Sequence, residues 1–141
     1  MGNQPSAKKI GFEDIQHVVK DPGRRYLLIN TLEQSEQRCL IQKTLSIAEE
    51  TNTINKALNI GGISIVVYGK NANDETVYKK YEQLIALGFS NVYIYPGGMF
   101  EWMMLQDIYG ADEFPTTMSE LDLLRYRPKA LLGIQMLTDA I

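Results

Sequence analysis

The segment that most constrains the fold is a nearly continuous apolar run, 63–68, which is rich in β-branched residues. A run of this kind, preceded by the break Gly61-Gly62, is typical of a central strand in a parallel sheet, because both faces of such a sheet are covered. Shorter apolar runs at 26–30 and 92–95 predict two more strands, and helical patterns separate the three. The sequence therefore predicts an α/β domain with a central parallel β-sheet flanked by α-helices on both faces.

Helical periodicity is clearest near the N-terminus. In residues 12–20, Phe12, Ile15 and Val18 share one face with Val19, and the following Pro and Gly end the helix. The other predicted elements lie further along the chain. Gly88 is expected to end the helix at 74–87 in the left-handed conformation. These other elements are a short strand at 44–47 and helices at 48–58, 74–87, 100–109 and 119–126, the last capped by Ser119.

Composition excludes several classes of function. A net charge of −3 over 141 residues argues against a nucleic-acid partner. The single cysteine, Cys39, excludes an internal disulfide and a cysteine-based zinc cluster, and the single histidine, His17, leaves too few ligands for a catalytic zinc site. No run approaches the ~20 apolar residues of a membrane-spanning helix, and the N-terminus lacks the apolar core of a secretory signal. We therefore expect a cytoplasmic protein with no metal, no cofactor and no bound nucleic acid.

Three short motifs follow one another in the second half of the chain: Leu87-Gly88-Phe89, Asn91-Val92-Tyr93, and Gly97-Gly98 followed by Trp102. Together with the strand at 63–68, they resemble the rhodanese-like family in order and spacing, and the resemblance covers about residues 10–112. Residues 27–30 also look like an early strand of the family, with Asn30 in place of an acidic residue. The resemblance implies the rhodanese-like fold, in which the central strand leads into the active-site loop.

The same resemblance divides the chain into three parts. We expect a flexible N-terminal tail at 1–9, the rhodanese-like domain at 10–112 and a C-terminal extension at 113–141. The extension contains a small basic stretch, 125–129, and ends in a moderately apolar segment. Its pattern suits a last helix packed on the domain, and it equally suits a segment that waits for a partner.

The resemblance also implies a loop that has lost the family's chemistry. The family needs a nucleophilic cysteine directly after the central strand, and this chain has Gly69 there. Ala72 and Asp74 stand where the family has a glycine and an arginine, and Glu75 follows. The two carboxylates are expected to interact with the dipole of the next helix, either in place of a bound anion or as ordinary helix caps. The degenerate loop comprises Gly69, Lys70, Asn71, Ala72, Asn73, Asp74 and Glu75, and we assign it no catalytic residue.

Two functions remain for such a chain. The first is a pseudoenzyme, an inactive rhodanese-like module whose loop and nearby surface bind an unidentified protein or peptide. The alternative is a sulfurtransferase that uses Cys39 as a non-standard sulfur carrier, although a cysteine in an apolar frame is also typical of a small buried hydrophobe. The candidates for partner binding are Lys70, Asn71, Asn73, Asp74 and Glu75.

The N-terminus carries a further signal. Met1, Gly2 and Ser6 match the pattern M-G-x-x-x-[ST], which predicts N-myristoylation of Gly2, although a disordered leader can match so short a pattern by chance. One myristoyl chain binds bilayers only marginally, so a second signal is needed, and Lys8 and Lys9 would add attraction to an anionic leaflet. We therefore expect an adaptor tethered to the cytoplasmic face of a membrane.

Overall fold

A four-stranded parallel sheet forms the centre of the structure, a computed structural model that describes residues 7–23 and 25–132. Its strands are β1 (Lys8–Lys9), β2 (Tyr26–Asn30), β3 (Ser64–Tyr68) and β4 (Val92–Tyr95), in the spatial order β1-β4-β3-β2. The strands expected at 26–30, 63–68 and 92–95 are confirmed. The sheet also begins earlier than expected, because Lys8 and Lys9 pair with β4.

Four helices cover the two faces of this sheet in the described part of the chain. Ile15 and Trp102 pack on the face that carries Val66 and Tyr68 of β3, whereas Ile54 and Leu84 pack on the opposite face with Ile65 and Val67. The predicted α/β architecture with helices on both faces is therefore confirmed. None of the described helices is both long enough and apolar enough to cross a membrane. The helices are α1 (Phe12–Lys20), α2 (Ile47–Ile60), α3 (Thr76–Leu87) and α4 (Gly98–Tyr109).

Two predicted elements differ in the structure. The strand expected at 44–47 is reduced to one bridge between Leu28 and Thr44, because the chain turns at Lys43, whose φ is 71°, and α2 already begins at Ile47. The helix expected at 119–126 is only a short 3-10 helix, Leu123–Tyr126. Its N-cap residue is Asp122 and not Ser119.

The described part of the C-terminal extension packs on the domain. The rings of Phe114 and Tyr126 are buried with α1 and α4 residues, and the Phe114 centroid lies 5.0 Å from that of Trp102. Thr116 forms an antiparallel bridge with Ile41, and the indole of Trp102 donates a 3.1 Å hydrogen bond to the Pro115 carbonyl. Residues 113–126 therefore contribute to the same core as the sheet.

Candidate functional site

The carboxyl ends of β2 and β3 border a cavity of about 470 Å³. Ligands of parallel α/β sheets commonly bind at this end of the strands, because the loops that follow them can converge there. The loop at 69–75 leaves β3 and leads into α3, and its residues form much of the lining. All five residues that the sequence indicates for partner binding line this one cavity: Lys70, Asn71, Asn73, Asp74 and Glu75.

Gly69 is buried directly after β3, where its surroundings leave no room for a side chain. A Cβ atom at this position would lie 2.6 Å from Cγ2 of Val77, 2.8 Å from Oγ1 of Thr31 and against the carboxylate of Asp74. Real Cβ atoms essentially never approach other atoms so closely. The loop is therefore packed around a glycine.

Gly98 brings α4 against the same loop. Its φ is +61°, a left-handed conformation that favours glycine, and a Cβ atom there would lie 2.6 Å from the carbonyl oxygen of Gly69. The close approach allows Met99 and Phe100 to donate backbone hydrogen bonds to the carbonyls of Gly69 and Lys70, at 3.0 and 2.9 Å. The Gly97-Gly98 motif of the sequence thus fixes the loop from the side of α4.

The carboxylate of Asp74 holds the loop together through hydrogen bonds. Its Oδ2 accepts a 2.9 Å hydrogen bond from the backbone of Lys70, and its Oδ1 accepts bonds from the backbone and hydroxyl of Thr76. The helix-capping interpretation therefore applies to Asp74. Glu75 differs, since its side chain is exposed and makes no capping hydrogen bond to α3.

A chain of ion pairs lies beside the loop. The side chain of Glu36 is almost buried. Its carboxylate oxygens lie 3.6 Å from the Lys70 ammonium and 3.8 Å from the Arg125 guanidinium. Arg125 also pairs with Glu120 at 2.7 Å. These pairs join the loop after β3 to the C-terminal part of the chain, so the positive charge of Lys70 is compensated by a neighbouring carboxylate.

The strap, defined here as residues 126–131, supplies a part of the cavity that the sequence analysis missed. Asn71, a buried loop residue, donates a 2.9 Å hydrogen bond to the Tyr126 carbonyl and so anchors the strap. The strap then contributes Arg127, Lys129 and Leu131 to the cavity lining. The only sequence signal for this role is the basic stretch at 125–129. The segment after β2 supplies the other unanticipated lining residues, Thr31, Leu32, Glu33 and Glu36.

Cys39 does not contribute to the lining of this cavity. Its side chain is buried, and its thiol donates a 3.2 Å hydrogen bond to the Met118 carbonyl. Burial raises the pKa of the Cys39 thiol, which lowers the fraction of thiolate at neutral pH. Its surroundings are those of a small buried hydrophobe.

Of the residues of the expected membrane tether, neither Lys8 nor Lys9 lines this cavity. Gly2 lies outside the described residues. Lys8 and Lys9 have exposed side chains on β1, and the Lys8 ammonium lies 5.6 Å from the ring centroid of Tyr93. His17 is exposed on α1, as its position opposite the apolar face predicts, and its ring meets Tyr26 edge-on.

No protein-family model and no curated protein matches the sequence. Solved structures match it in fold. The single-domain sulfurtransferase RDL2 of Saccharomyces cerevisiae is 22% identical with a TM-score of 0.54, over 80% of this chain and 99% of that one. The Alr3790 protein of Anabaena sp., which contains a rhodanese-like domain, is 16% identical with a TM-score of 0.56, over 93% and 91% of the two chains.

The chain has the rhodanese-like fold. The BH2092 protein of Bacillus halodurans is a further structural match, 16% identical with a TM-score of 0.57 over 70% of this chain and 72% of that one. The rhodanese-like fold agrees with the motifs at 87–102 and with the central strand at 63–68. Sequence identity of this size relates the folds alone, so the function of the chain has to be argued from its own residues.

Proposed function

We propose that this chain is a catalytically inactive rhodanese-like module that holds a protein or peptide partner in the cavity at the ends of β2 and β3. The observation that carries the proposal is the packing around Gly69. The resemblance implies a nucleophilic cysteine at this position, and here the carboxylate of Asp74 and the side chains of Val77 and Thr31 occupy the space of its first side-chain atom.

The charges of the loop support the same proposal. A pocket that accepts thiosulfate or another sulfur-carrying anion needs a positive potential. Asp74 and Glu75 place two carboxylates at the start of α3, and Glu36 compensates the charge of Lys70. The loop is thus better suited to polar contacts with a partner than to the capture of an anionic sulfur donor.

Sulfur transfer on Cys39 is the alternative function. RDL2, which has the same fold, is a sulfurtransferase. A sulfur carrier has to present an accessible thiolate to its donor. Cys39 is buried, burial raises its pKa, and its thiol is bonded to Met118 outside the cavity lining. These three observations favour the binding module.

Affinity capture with matched variants tests partner binding. Glu75 is a better target than Asp74, because Asp74 holds the loop together, whereas the exposed side chain of Glu75 can change without loss of a cap. We expect Glu75→Lys to lose a partner that the intact chain captures, and Glu82→Lys, an exposed control on α3, to retain it. Equal capture by both variants would contradict a binding role for this part of the cavity.

We also propose that an N-myristoyl group on Gly2 tethers the module to the cytoplasmic face of a membrane. The acceptor pattern supports the modification, and the exposed side chains of Lys8 and Lys9 would add about 1 kcal/mol each on an anionic leaflet. Co-expression with N-myristoyltransferase should add one myristoyl mass, and Gly2→Ala should abolish it. An unmodified N-terminus under these conditions would leave only a chance match to the pattern.

A further inference from the structure

Several charged groups in the cavity already have partners. The carboxylate of Asp74 accepts hydrogen bonds from the backbone amides of Lys70 and Thr76, and Glu36 forms ion pairs with Lys70 and Arg125. Four further charged residues line or border the cavity, all with exposed side chains, and none of them forms an ion pair with another described residue. They are Glu33, Glu75, Arg127 and Lys129.

These four residues come from two different parts of the fold. Glu33 follows β2 and Glu75 precedes α3, and the two segments are joined by a 2.8 Å hydrogen bond between the Thr31 and Thr76 hydroxyls. Arg127 and Lys129 belong instead to the strap, which is anchored at Tyr126. The cavity therefore has an acidic contribution from the β2–α3 junction and a basic contribution from the strap.

We infer that the partner presents a short peptide segment that carries one basic and one acidic side chain. The inference rests on the proposed binding function and adds the chemistry of the partner. The basic side chain lies against Glu33 and Glu75, and the acidic one against Arg127 and Lys129. A ligand of a single sign gains at one part of the cavity and is repelled at the other.

The cavity is suited to a peptide in size and in polar groups. Its volume of about 470 Å³ falls in the range of ordinary ligand sites, which is ~300–1,000 Å³. Asn73 and Thr31 add uncharged hydrogen-bonding groups to the lining, and Leu32 and Leu131 add apolar surface. A peptide segment offers backbone amides and side chains of both kinds, whereas a small inorganic anion would leave the acidic residues without a counterpart.

Amide chemical-shift titrations of the intact chain test the inference with three capped synthetic peptides, Lys-Gly-Gly-Glu, Lys-Gly-Gly-Lys and Glu-Gly-Gly-Glu. We expect the mixed peptide to shift the amides of 69–76 and 126–131 and to bind about tenfold more tightly than either single-sign peptide, because a single-sign peptide replaces one exposed ion pair with a like-charge contact. Equal affinities for the three peptides, or no shift at these amides, would overturn the inference.

Charge reversal on the strap gives a sharper comparison. Arg127→Glu and Lys129→Glu together make the unpaired charges of the cavity all acidic, so the preference should move to the all-basic peptide. Lys56→Glu and Lys79→Glu together change the net charge equally on the exposed surfaces of α2 and α3 and should keep the preference for the mixed peptide. If the double strap variant fails to fold, Lys129→Glu alone should still weaken binding of the mixed peptide.

The outcomes separate this inference from the proposed function. Binding of all three peptides in the cavity with an unchanged preference in the strap variant overturns the charge pattern and leaves the binding module standing. Loading of sulfur onto the chain from thiosulfate overturns the proposed function itself, whatever the peptides do. A preference for the mixed peptide that the strap variant loses and the Lys56 and Lys79 control variant keeps supports both the inference and the proposed function.

Discussion

At the residue scale, Gly69 determines what the loop after β3 can hold. A methyl group there would overlap Val77, Thr31 and the Asp74 carboxylate, and overpacking of this kind typically costs about 1–3 kcal/mol. We expect Gly69→Ala to lower the free energy of unfolding by this amount in urea titrations. Gly23→Ala is the matched control, since a Cβ atom at Gly23 meets only ordinary contacts of 3.4 Å or more.

Gly69→Cys extends the same prediction to chemistry. The new thiol would have to displace its neighbours, and the nearby carboxylate of Asp74 would raise its pKa and reduce its thiolate fraction. We therefore expect little thiocyanate formation from thiosulfate and cyanide by this single variant. Robust turnover would show that the loop rearranges easily and that its charge does not suppress the reaction.

The buried titratable groups predict how stability depends on pH. Burial raises the pKa of the Cys39 thiol and of the Tyr68, Tyr95 and Tyr126 hydroxyls, so the folded state retains protons that the unfolded chain releases. These four groups should therefore lower the free energy of unfolding above about pH 8.5, as unfolded cysteine ionises, and lower it further above about pH 10 with the tyrosines. Urea titrations across this range measure it.

Cys39→Ala is the control for this prediction, because it removes the group that titrates first. Its free energy of unfolding should begin to fall only where the tyrosines ionise. An identical decline in the two proteins from about pH 8.5 would contradict the burial of the thiol as a source of alkaline sensitivity.

At the scale of elements, β3 contributes buried side chains to the core on both faces of the sheet. Val66 is 1% exposed on the face that meets Ile15 and Trp102. Val66→Asp would bury an unpaired carboxylate and cost several kcal/mol, against a total stability of about 5–15 kcal/mol for a domain. We expect no cooperative melting of this variant, whereas Ile60→Asp, at an exposed position, should melt like the parent chain. A cooperatively melting Val66→Asp protein would contradict the placement of β3.

The segment after α4 is a second structural element of the core. Phe114 is buried between Trp102 and Phe12, so Phe114→Ala should cost about 3–5 kcal/mol. Leu121→Ala, at a site that is 92% exposed, should be nearly neutral. Chemical unfolding followed by the fluorescence of Trp102, the single tryptophan, checks both variants. Equal stabilities would show that residues after 113 are not part of the core.

The strands and helices nearest the sheet were predictable because their signals are local. Apolar runs predict β2, β3 and β4, and periodicity predicts α1 with its observed bounds, Phe12–Lys20. The core positions of Phe114 and Tyr126 have no such signal, since they depend on contacts with residues far away in the chain and lie in irregular segments. The absence of the predicted strand at 44–47 was not predictable for a local reason, because the left-handed turn at Lys43 is not marked by a glycine.

At the scale of the whole molecule, the rhodanese-like fold brings separate parts of the sequence to one cavity. The loop residues at 69–75 were predictable from the resemblance, since they directly follow the central strand. Arg127 and Lys129 were not, because their place depends on the bond between Asn71 and the Tyr126 carbonyl and on the ion pair of Arg125 with Glu36. Half of the charge pattern of the site is thus specified by tertiary structure.

Sulfur loading measured by intact-protein mass spectrometry tests the central claim, that this rhodanese-like chain binds a partner and does not carry sulfur. The intact chain is incubated with thiosulfate, and Cys39→Ala is treated in parallel as the control. We expect the mass of both proteins to stay unchanged, because Gly69 leaves no nucleophile after β3 and Cys39 is buried. A gain of one sulfur atom by the intact chain, absent in Cys39→Ala and removed by cyanide, would contradict the account.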